Sequence, residues 1–268
     1  MELEIETGLG RGGIDPADVA AAATAIAASP AARLAGIWTH LQASEDASTT
    51  GRQLERFAVA EAAIRAAGLP VPTRHVAASG GLLVGVDAYD GVRPGLSIYG
   101  IVPDELEGRS LRAPGRDAFR PVMSLHARPV RVADLPAGHG VSYGPTFTTA
   151  RPSRIATLPL GYGDGYTRAN ANRSQALVRG QRVPLVGNVT MDAVMFDVTD
   201  VPGTPVGLDD EFVLLGSQGA DRITAEDLAR LRTTNTWEVV VQMAGRLPRV
   251  YHAAAGAVGL RTLTERGG

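Results

Sequence analysis

The hydrophobic pattern changes character partway along the chain. Residues 3–5 alternate apolar and acidic, which predicts a short strand running into the loop TGLGRGG. Asp15, with Pro16 behind it, is placed to open a helix that continues to Ala28. LAGIWTH, residues 34–40, is a brief apolar run that reads as a buried strand. Residues 51–67 repeat at helical spacing, with Leu54, Phe57, Ala58, Ala62 and Ile64 near one face and Gly68 as the stop. A strand-like RHVAASG, a short helix around residues 82–84 and the run VRPGLSIYG follow. This is the rhythm of parallel β/α units. Periodicity leaves a partial barrel, a doubly wound piece and an ordinary α/β sandwich all open.

Around residues 109–119 the apolar content falls and Pro, Gly and Arg accumulate, which places a domain boundary there, with domains at 1–115 and 116–268. Beyond it come short β-rich runs separated by Gly/Pro turns: MSLHARPVRVADL, RIATLPLG, QALVRGQRVPLVGNVTM, AVMFDVTD and EFVLLGS. Thr224 with Asp227 forms a capping-box pattern for a helix over AEDLARLR. The expectation is an α/β first domain followed by a mainly antiparallel β domain.

A length of 268 residues with 44% hydrophobic content suits one or two domains with a substantial core. A formal net charge of -2 gives no reason to expect nucleic acid or an anionic membrane as partner. No run approaches the ~20 apolar residues of a membrane span, and the first residues lack the pattern of a signal peptide, so a soluble protein is expected. Cysteine is absent, which excludes thiol chemistry and is compatible with the cytoplasm without requiring it. His126, His139 and His252 show no metal-ligand spacing, and no metal is expected. GYGDGY lacks the pattern of a nucleotide loop. The decisive count is that all 26 basic residues are arginine. With no lysine, no side-chain primary amine is present to form a Schiff base.

Chemistry concentrates in GHGVSYGPTFTT (138–149), LPLGYGDGYTR (158–168) and VGNVTMDAV (186–194). With ETGLGR, WTHLQASED, RHVAAS, RPGLSIYG and WEVVVQMAGRLPRVY, in that order, they resemble the alanine racemases over nearly the whole chain. The resemblance implies a homodimer of a pyridoxal 5'-phosphate (PLP) binding (β/α)8 barrel and a β-rich carboxy-terminal domain. Each active site would lie between the barrel of one subunit and the β domain of the other. The implied activity is cytoplasmic interconversion of L- and D-alanine for peptidoglycan synthesis, through two opposed bases, a cofactor-holding lysine and a tyrosine. By motif, Tyr143 is that tyrosine and also contacts substrate; His40 contacts it and faces the cofactor. Arg11 matches an arginine near the phenol or the substrate carboxylate. Arg93 matches the donor to the pyridine nitrogen, and Ser79, Gly95 and Leu96 match groups around the phosphate. Tyr162 matches an entrance tyrosine; Met191 and Asp192 match residues near the substrate carboxylate. His75 fits an orienting or a purely structural role.

Four departures stand out. The family's PLP lysine lies upstream of the matching region and has no substitute in this chain. Glu4 stands where the family often has a carboxylated lysine that positions the arginine matched by Arg11. Trp237 stands at a phosphate-contacting tyrosine, and Ala78 at an asparagine before the phosphate-site serine. The expected protein is therefore an amino-terminally truncated alanine racemase or half enzyme, inactive alone, with a complementing barrel chain supplying the lysine. A non-catalytic binding or assembly module is the alternative, and another PLP barrel enzyme such as a decarboxylase relative is a third. The motifs do not separate alanine from serine.

Overall fold

The computed structural model describes residues 1–112 and 115–264, and divides into two units, Met1–Arg120 and Pro121–Gly268. The sequence places the boundary at 115/116, and two residues of that stretch, 113 and 114, lie outside the described residues.

In the first unit the order is β1 (Glu2–Glu4), α1 (Val19–Ala27), β2 (Gly36–Trp38), α2 (Ala47–Ala66), β3 (Thr73–His75), β4 (Ala77–Ala78), α3 (Ser79–Val84) and β5 (Val92–Arg93). β1, β2 and β3 form a parallel sheet in that order, with Leu3 opposite Ile37 and Trp38 opposite His75. β4 and β5 form a second parallel pair, which sets Arg93 opposite Ala78. Parallel pairs require crossovers, and α1, α2 and α3 supply them. No closed barrel forms among the described residues. The core beneath the helices is Ile5, Val19, Ala23, Ile37, Phe57, Ala60, Ile64 and Val76, all buried.

Three helices differ from expectation. Asp15 does not cap α1: its Oδ1 accepts from Ala17 N in an Asx turn, and the helix begins only at Val19. α2 begins at Ala47, where Asp46 accepts from Thr49 N. Its inner face is Thr50, Gln53, Phe57, Ala60 and Ile64, whereas Ala58 and Ala62 are exposed. Alanine reads as apolar anywhere on a helix, so Leu54, Phe57 and Ile64 mark the face in the sequence, Leu54 packing partly buried against the same core. The short helix expected near residue 82 starts earlier, at Ser79.

The second unit contains β6 (Leu125–Ala127), β7 (Arg131–Leu135), β8 (Gly140–Val141), β9 (Phe147–Thr148), β10 (Ser153–Leu158), β11 (Gln175–Val178), β12 (Gln181–Pro184), β13 (Val194–Asp197), β14 (Phe212–Gln218), β15 (Asp221–Ile223), α4 (Ala225–Arg232), α5 (Thr236–Val241), β16 (Arg249–Ala253) and β17 (Gly256–Arg261). Every strand pairing among its described residues is antiparallel: β13-β10-β7 is one sheet, and β12-β11-β14-β15 with β6 on β14 is another. Leu158, Tyr166, Val194, Phe196, Phe212 and Leu214 lie in its core. Thr224 and Asp227 cap α4 reciprocally, as the sequence predicts. Around this unit arginines fork onto aspartates: Arg179 onto Asp210, and Arg182 onto Asp221.

Phe57 fills the space between α2 and the first sheet. Replacing it with alanine is expected to cost roughly 3–5 kcal/mol in urea unfolding, against about 1 kcal/mol for Thr224→Ala at the α4 cap.

Candidate functional site

In the first unit the candidate residues gather where β1, β2, β4 and β5 end. Arg93, on the last residue of β5, is half-buried, and a buried guanidinium needs acceptors because it has only donors. Its Nη1 donates to His75 Nδ1 and to the His75 carbonyl, both at 2.7 Å, and Nη2 donates to the Thr39 carbonyl at 2.7 Å. The guanidinium also lies 4.7 Å from the centre of the Trp38 ring, which stacks on His75. Since Arg93 can only donate, His75 Nδ1 accepts, leaving the ring proton on Nε2, 3.1 Å from Glu2 Oε2. His75 is therefore an orienting residue as well as a packing one.

Beside Arg93, Ser79 Oγ accepts from Gly95 N at 2.9 Å and Ser97 N at 3.2 Å, and lies 3.1 Å from Ser97 Oγ. Ser79 opens α3, and Leu96 is buried just behind. No heavy atom lies within 4 Å of the place a Cβ on Gly95 would take, so the backbone there faces open space. The Ser79 and Ser97 hydroxyls beside an open backbone offer donors suited to an anion.

His40 follows β2. Burial lowers its pKa most, Arg11 and Arg93 lower it further, and Glu4 opposes them. Arg11, on the loop after β1, is exposed and 3.6 Å from Glu4 Oε1. Thus Arg11, His40, Ser79, Arg93, Gly95 and Leu96 share one end of this unit.

The second unit brings together Tyr143, Tyr162, Met191 and Asp192, with Arg168 and Asn188, around a pocket of about 290 Å³. Tyr143 is 78% exposed. Its backbone is nonetheless fixed: Asn188 Nδ2 donates to the Tyr143 carbonyl at 2.7 Å, and Ser142 Oγ donates to the Asn188 carbonyl. Ser142 takes a φ of 68°, a left-handed conformation costly for a serine. Asp164 locks the neighbouring turn, accepting from Gly161 N with Oδ2 and from Arg246 Nε with Oδ1. Tyr162 N and Gly163 N then donate to the Thr190 and Met191 carbonyls. A side chain on Gly161 would stand 2.1 Å from the Thr190 carbonyl oxygen, so that close approach demands glycine. Trp237, in the first turn of α5, does not line this pocket.

Sequence reasoning overlooked the polar partners Thr7, Thr39, Gln53, Ser97, Asn188 and Arg246. Only Gln53 carried a signal, a glutamine four residues before Phe57 on a helix's inner face. No group of three or more His, Cys, Asp or Glu able to hold a metal occurs among the described residues, and none of their helices is long and apolar enough to cross a membrane.

Residues 1–103 match the profile of the alanine racemase N-terminal domain, and residues 122–251 that of the C-terminal domain. An alanine racemase of Symbiobacterium thermophilum is 41% identical over 257 residues, 94% of this chain and 65% of the relative. The alanine racemase of Bacillus anthracis with bound L-Ala-P superposes with a TM-score of 0.88 at 27% identity, over 98% of this chain and 67% of that one. The Bartonella henselae alanine racemase with covalently bound pyridoxal phosphate gives a TM-score of 0.75 at 28% identity, over 94% and 65%. The chain spans about two thirds of the length of the curated relatives it matches.

Because the folded pKa of His40 lies below its unfolded value, the unfolded chain binds the extra proton first as pH falls. Stability should therefore drop as pH falls through the ordinary histidine range towards the lower folded value, and His40→Gln should flatten that part of the urea-midpoint profile. An unchanged slope would count against a neutral, cation-flanked His40.

Proposed function

The chain belongs to the alanine racemase family, and from that premise we propose that it carries the larger share of a PLP-dependent machinery interconverting L- and D-alanine. The observation that supports this best is Arg93, held by three acceptors and placed by strand register beside Ala78, next to Ser79. These residues fit the cofactor. The Ser79 hydroxyl and the backbone at Gly95 and Leu96 would hold its phosphate, and Arg93 would donate to its ring nitrogen. PLP, when bound, would supply an electron sink for charge at the substrate Cα. A permanently protonated Arg93 would leave that nitrogen without a proton and moderate the sink.

The chain's own residues handle proton and substrate. Tyr143 Oη would exchange a proton with Cα on one face. A phenol with an ordinary pKa of about 10 is a poor base near neutrality, so it needs its anion stabilised by nearby cations and donors; Arg11 and His40 would serve. Glu4 would give Arg11 directly the carboxylate that relatives obtain from a modified lysine. Met191 N–H would bind the substrate carboxylate, with Asp192 beside it and Tyr162 lining the approach; Trp237 would offer an indole N–H towards the phosphate. Tyr143 would serve the barrel of a partner subunit, as its exposure permits.

A second base on the opposite face, also the anchor for PLP, must be an amine, and this sequence has no lysine. Arginine cannot replace it because its guanidinium stays protonated. By itself the chain is inactive, and it becomes active with a barrel half that carries the lysine. The lysine-free composition favours one other reading, a non-catalytic assembly module derived from a racemase.

Racemisation of L-alanine with added PLP should be undetectable for the chain alone and appear on mixing with a lysine-bearing barrel half. Tyr143→Phe should then reduce the rate by at least ~100-fold. Halves that associate yet stay silent would favour the assembly module.

A further inference from the structure

Gln53 is 2% exposed on the inner face of α2, among apolar neighbours, yet its carboxamide is bonded at both ends. Nε2 donates to Thr7 Oγ1 at 3.0 Å and to the His40 carbonyl at 3.1 Å; Oε1 accepts from Gln42 N at 2.8 Å. Thr7 Oγ1 lies 2.6 Å from Thr39 Oγ1, and the Thr39 carbonyl is the one that receives Arg93 Nη2. A single side chain thus ties α2 to the loop after β1 and to the loop after β2. The Gly8 backbone lies against its stem, where a Cβ would meet Gln53 Cγ at 3.5 Å.

A methionine would fill this position at similar volume. What the amide adds is direction, because its donor and acceptor bonds tie its two ends to the Thr7 hydroxyl, the His40 carbonyl and the Gln42 amide. Two of those partners flank His40 directly: its own carbonyl and the amide of Gln42, two residues on.

We propose that Gln53 is a positioning residue for this site, fixing the segment 39–42 that carries both the His40 imidazole and the Thr39 carbonyl to which Arg93 Nη2 donates. Its bearing on catalysis rests on the racemase reading above; the geometry itself does not. The charged groups facing His40 are Arg11 from the loop after β1, Arg93 from β5 and Glu4 from β1.

The test is a pH titration of the His40 imidazole by nitrogen–proton NMR on the chain alone, which requires neither cofactor nor substrate. Its outcome is therefore independent of whether mixed halves racemise alanine. In the wild type His40 should titrate below the ordinary histidine range. In Gln53→Met it should move up towards that range. In Phe57→Leu, a core change on the same helix face, it should stay where it is although the protein is less stable. An unmoved His40 in Gln53→Met, or an equal movement in Phe57→Leu, overturns the proposal. Should Gln53→Met fail to fold, the wild type still decides. Gln53 side-chain amide protons that exchange far more slowly than those of exposed Gln181 support the tie, and exchange at the same rate overturns it.

Discussion

A guanidinium offers hydrogen-bond donors and no acceptor, so burying one obliges the surrounding chain to turn oxygens and lone pairs towards it. Arg93 imposes that demand on the first unit. It is met by the ends of separate elements: the ring and carbonyl of His75 closing β3, the carbonyl of Thr39 just past β2, and the face of Trp38 within it. Each of these sits at the same end of the parallel strands. The tautomer of His75 and its contact with Glu2 follow from satisfying one half-buried cation, which also fixes the Thr39 carbonyl just before His40. Strands as short as two or three residues could not fix these positions through their ladders alone.

The second unit solves a different problem by different means. Tyr143 is held by its backbone and left free at its ring, through the Asn188 amide and a left-handed Ser142. The Asp164–Arg246 pair then fixes the adjoining turn against the segment that carries Met191 and Asp192. One unit holds a half-buried cation fixed by three acceptors. The other presents an exposed phenol on a backbone pinned by side-chain bonds.

Much of this is legible in the sequence, and the reasons for the exceptions are physical. The β/α rhythm of the first half and the antiparallel runs of the second follow from apolar periodicity, which burial enforces. The α4 cap is legible because Thr224 and Asp227 satisfy each other locally. The start of α1 is not, because Asp15 spends its carboxylate on an Asx turn, a choice equally open to any aspartate before a helix. Ala58 and Ala62 mislead because alanine carries no preference for a face. The candidate site residues come from motifs, but Gln53, Thr7 and Asn188 act through bonds between segments far apart in sequence, and no local pattern encodes such pairings. Glycine at 161 is a case between these: the sequence shows it, and only the approach of the Thr190 carbonyl explains it.

The use of arginine at every basic position reaches beyond the missing amine. Forked pairs such as Arg179 with Asp210 and Arg182 with Asp221 hold both aspartates below the usual carboxylate range, chiefly through the hydrogen bonds they receive from arginine. Their contribution to stability is present above the unfolded carboxylate range and fades as pH falls through the lower folded values. On the alkaline side no ammonium side chain exists to lose its charge, and guanidinium groups keep theirs. The arginine–aspartate pairs on the second unit therefore respond to acid alone, a one-sided sensitivity that lysine–aspartate pairs would not share.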